Sequence, residues 1–62
     1  MAGIVDAITS ALAAVARSRS IAVRMRILRT VRTALQAWRA GDLTEDETVQ
    51  TIERILEEAK RG

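Results

Sequence analysis

Trp38-Arg39-Ala40-Gly41-Asp42-Leu43-Thr44-Glu45-Asp46-Glu47 is the stretch whose reading decides the fold. Gly41 is the one glycine between Gly3 and Gly62, and the chain has no proline. Glycine adopts the left-handed conformation without a Cβ penalty, so Gly41 reads as the residue that ends a helix. Thr44 followed by Glu47 is a capping box: each side chain can accept from the other's backbone N–H at the start of the next helix. Glu45 and Asp46 fill the first turn of that helix, where the macrodipole favours negative charge. A connection this short makes the two helices antiparallel neighbours.

Working outward, the downstream helix is expected over about 45–60, with Val49, Ile52, Leu56 and Ala59 at 3-4-3 spacing as its apolar stripe. The upstream helix is expected over about 20–40. Ile21, Leu28 and Leu35 recur every seven residues there. Val31 and Trp38 take the second seam position, and Ile27 and Ala34 flank it. In an antiparallel hairpin this register sets Leu35 beside Val49 and Leu28 beside Leu56. It also brings Arg32 near Glu53, an expected ion pair within the chain. Trp38 is expected as the large core residue near the turn.

Leu35, Trp38, Gly41, Leu43-Thr44, Glu47 and Ile55-Leu56 resemble the short helical hairpins known as SHOCT domains, over residues 35–56. The resemblance implies an oligomerising or interaction module with no catalytic residues. The pattern departs where that family tends to carry an aromatic after the acidic pair; Thr48 and Val49 follow here.

Residues 2–16 are apolar except for Asp6, Thr9 and Ser10, and predict a helix over about 3–17. Ile4, Ile8, Leu12 and Val15 form its stripe. This segment is too short to cross a bilayer: fifteen helical residues reach about 23 Å against a hydrocarbon core of about 30 Å. Without a positive flank, and with Asp6 in the run, it does not read as a signal peptide. At 100° per residue the Ile4/Ile8/Val15 stripe points nearly opposite to the Ile21/Leu28/Leu35 seam. Either the chain breaks near Arg17-Ser18-Arg19-Ser20 and folds back, or one long helix meets different neighbours in an assembly. The break is favoured.

The class is therefore all-α, a single small domain: an apolar segment over 1–16, an arginine-rich helix over 17–40 and an acidic amphipathic helix over 44–60. A chain of 62 residues buries only about 60% of its unfolded surface. It has no cysteine for disulfides and no histidine for the usual zinc sites. Oligomerisation is the remaining staple. Ile4, Ile8, Leu12 and Val15 are accordingly expected to be buried mainly against other copies of the chain.

The net charge of +2 hides a segregation. Residues 17–39 hold seven arginines, and no acid occurs from 7 to 41. Arg19, Arg26 and Arg29 fall on the polar side of the second helix. Arg17, Arg24, Arg32 and Arg39 follow the edge of its seam. Arginine forks match phosphate oxygens, so Arg17, Arg19, Arg24, Arg26 and Arg29 are the expected nucleic-acid contacts. Catalysis is hard to build without His, Cys, Tyr or Asn, and Glu45-Asp46-Glu47 reads as a capped helix start rather than a metal site. No metal, cofactor or enzymatic activity is expected. The function expected is that of a small self-assembling structural protein, coat-like or nucleoid-like, that binds nucleic-acid backbone. It would be cytoplasmic or part of a nucleoprotein particle. A SHOCT-like interaction module and a membrane-surface amphipathic protein are the alternatives.

Overall fold

The structure, a computed structural model, describes residues 3–61. It contains three helices, α1 (Ile4–Arg17), α2 (Ile21–Arg39) and α3 (Glu45–Arg61), and no strand among the described residues. The three bury a common core, with α2 and α3 in the most extensive contact.

The chain does break before α2, so α1 and α2 are separate helices. Ser18 closes α1 by donating its N–H to Ala14 O at 3.0 Å. Ser20 caps α2 by accepting from Val23 N–H at 3.3 Å. Arg24 ties the linker down, its Nε donating to Ser18 O at 2.6 Å. The second turn follows the sequence expectation closely. Gly41 has φ +86°. Its N–H meets Trp38 O at 3.0 Å, and Asp42 N–H meets Ala37 O at 2.8 Å, the paired bonds of a Schellman motif. The capping box is closed on both sides: Thr44 N–H donates to Glu47 Oε1 at 2.9 Å and Glu47 N–H to Thr44 Oγ1 at 3.1 Å.

Ala7 and Ala11 of α1, Ile27 and Ala34 of α2, and Val49, Ile52 and Ile55 of α3 form the core. Thr48 is fully buried among them and satisfies its hydroxyl on Thr44 O at 2.8 Å. Two expected faces are rotated. The seam of α2 lies outside: Ile21 and Leu28 are 74% and 43% exposed, and Leu35 is half-buried. Val23 and Val31 instead pack against the core beside Ile27 and Ala34. A heptad seam suits one partner helix, whereas α2 has two neighbours in the chain. Its buried centre therefore shifts to the flanking row that both can reach. Similarly, α1 turns Ala7 and Ala11 inward. Ile4 and Val15 join the chain's own core, Ile8 is half-buried and Leu12 is 57% exposed. That stripe is thus not kept whole for another chain. Trp38, expected as the large core residue, is 37% exposed and is not part of the buried core.

Candidate polyanion interface

The outer surface of α2 is the one strongly cationic feature. Arg24, Arg26, Arg29, Arg32 and Arg39 are all exposed, and the helix contains no acid. They are not equivalent. Arg24 is engaged by the Ser18 carbonyl. Arg26 reaches across to α3, its Nη2 lying 3.3 Å from Glu58 Oε2. That is the only salt bridge among the described residues, and both side chains remain more than half exposed. An ion pair in such a setting contributes little to stability, but its arginine is already partnered.

The expected pairing of Arg32 with Glu53 does not occur. Arg32 opens onto a shallow recess of about 390 Å³ bordered by Leu28, Val31, Leu35, Gln36 and Arg39, all from α2. Glu53 lines a different opening, about 1000 Å³, between α1 and α3. The two side chains leave their helices toward different sides of the bundle. On the α3-facing flank of α2 it is Arg26 that meets an acid.

Of the other expected contacts, Arg17 lines the α1–α3 opening together with Asp6, Glu53 and Glu57, so acids share its surroundings. Arg19 lies exposed in the linker between α1 and α2. The five arginines singled out by sequence therefore do not share one surface. The structure instead lines up Arg29, Arg32 and Arg39. With Gln36 they follow i, i+3, i+7, i+10, a single stripe on α2 about 15 Å long. Among the described residues, none of the three has an acid within 4.0 Å. The spacing that places Arg32 and Arg39 on this stripe is visible in the sequence. The absence of an acid near them depends on how α3 is rotated.

The acidic start of α3 is occupied structurally, with Glu47 accepting from Thr44. No three acids among the described residues converge as a metal site would need. No described helix is long and apolar enough to cross a membrane. Compared with known protein families, curated proteins and solved structures, the chain finds no match.

Proposed function

We propose that this chain is a non-catalytic helical binding module that meets the phosphate backbone of a nucleic acid through α2, without reading base sequence. The observation that supports the reading is the Arg29–Arg32–Arg39 stripe, three exposed guanidinium groups on one line with no acid beside them. Guanidinium forks suit phosphate oxygens, and contacts of this kind position a protein without carrying sequence information. The stripe offers no asparagine and no aromatic ring for base readout or stacking.

A salt titration of binding to duplexes of unrelated sequence tests it. Phosphate neutralisation releases counterions, so log K falls with log salt by roughly 0.9 per phosphate, or a slope near 3 for three arginines. Arg32→Ala should lower the slope by about 1, equally on every duplex. Arg26→Ala should change it by clearly less, because Glu58 already holds that charge. The absence of measurable binding at ~50 mM salt would overturn the reading.

A further inference from the structure

Ile21, Leu28 and Leu35 repeat at seven-residue intervals on α2, the first two exposed and Leu35 half-buried. Met25, a turn from Ile21, is 51% exposed. On α1, Val5 and Leu12 are also seven residues apart and exposed. These side chains gather on one face. The flank of α1 carrying Asp6, Ser10 and Arg17 lines the opening toward α3. The flank of α2 carrying Arg26 also faces α3, through Glu58. At 100° per residue, Val5 and Leu12 on α1, and Ile21, Met25 and Leu28 on α2, fall on the other flanks, where α1 and α2 adjoin. Five of the six large apolar side chains exposed among the described residues thus share that face.

A seven-residue apolar repeat is the spacing with which one helix meets another of matching repeat, knobs into holes. Mere solvent exposure has no use for it, and α2 itself carries the matching repeat. We propose that this face is where a second copy of the chain docks, α2 against α2, and that arginines beside the seam make the pairing depend on neutralising anions. The dimensions suit it. A stable interface takes roughly 800 Å² from each partner. That is about a sixth of this chain's 4735 Å² surface, and the broadest side of a body measuring 33 × 22 × 17 Å is of that order. The recess between Leu28, Leu35 and Arg39 is a ready hole for a partner's knob. A lipid surface fits less well, since none of the five exposed apolar side chains of the face is an aromatic anchor.

Arg32 and Arg39 border the same seam, and no acid stands on it. Pairing two copies therefore brings like charges together, while the arginine stems cover apolar neighbours. An anion between the two stripes relieves that repulsion. Pairing and polyanion binding then favour each other by the same factor in both directions. This second half rests on the phosphate-backbone reading above; the docking face does not.

Sedimentation equilibrium of the full chain separates the possibilities. The expected result is a dimer whose dissociation constant falls several-fold between roughly 0.1 M and 1 M salt, as the screening length shrinks from about 10 Å to 3 Å. Nucleic-acid affinity runs the opposite way with salt, so the two claims fail separately. Leu28→Arg, which adds a further like charge to the seam, should give a monomer with unchanged helical circular dichroism, because Leu28 is already 43% exposed in the single chain. Addition of a duplex should tighten the wild-type dimer. A wild-type chain that stays monomeric up to ~1 mM, or a Leu28→Arg variant of unchanged dimer mass, overturns the docking face. So does a monomer that cosediments with phosphatidylcholine vesicles only when they contain phosphatidylserine. A dimer that binds no duplex overturns the coupling and the phosphate reading while leaving the docking face standing.

Discussion

Thr44 holds two structural tasks on one side chain and one backbone group. Its hydroxyl accepts from Glu47 N–H, and its carbonyl accepts from the buried Thr48 hydroxyl. Thr44→Ala removes the first and leaves the second. The cap is worth about 1 kcal/mol, which in a chain this size corresponds to a melting temperature lower by about 4–8 °C. Thermal unfolding followed by circular dichroism measures it. The roles of Thr44 and Glu47 were legible in the sequence because a capping box is local: partners three residues apart meet in any helix start. The roles of Arg26 and Arg32 were not. Both are arginines on α2, six positions apart, and only the placement of Glu58 decides which is paired. Long-range partners of flexible charged side chains depend on helix rotation by a few tens of degrees, which composition and spacing do not encode.

At the scale of the element, the helix bounds follow from punctuation and the buried faces do not. Gly41, Ser20 and Thr44 mark where helices stop and start, and the observed ends lie close to the expected ones. The apolar pattern of α2, however, serves two rows. Ile27 and Ala34 face the chain's own core, and Ile21, Leu28 and Leu35 form the longer-looking repeat outside it. Periodicity identifies apolar rows without saying which partner each one meets. Gly41 tests the turn that sets α3 against α2. A Cβ there would meet nothing within 4 Å, so the cost of Gly41→Ala lies in the backbone at φ +86° alone. It should amount to about 1 kcal/mol, with Gly41→Asn costing less because Asn tolerates the left-handed region. In urea the midpoint should fall without a change in slope, since the folded packing is untouched.

For the whole molecule, the question is how thin a core can hold three helices. Three of its seven buried apolar residues are alanines, and it contains no leucine and no aromatic. The alanines let α1 approach the hairpin closely, but each contributes little apolar area. The weight therefore falls on the isoleucines of α2 and α3. Ile52 has no exposed surface and lies mid-helix in α3, whereas Leu12 on α1 is 57% exposed. Truncating each to alanine removes similar hydrocarbon from very different surroundings. Ile52→Ala leaves a cavity in the core and should cost about 2–5 kcal/mol. A single core of this size rarely supplies more than about 3–5 kcal/mol, so that loss should leave the chain largely unfolded at 25 °C. Leu12→Ala should cost the monomer less than about 1 kcal/mol, within the range of surface changes. Far-ultraviolet circular dichroism at a protein concentration below any dimer dissociation constant measures both. Equal losses from the two variants would mean that α1 is packed more deeply against the hairpin than the exposed flank of Leu12 allows.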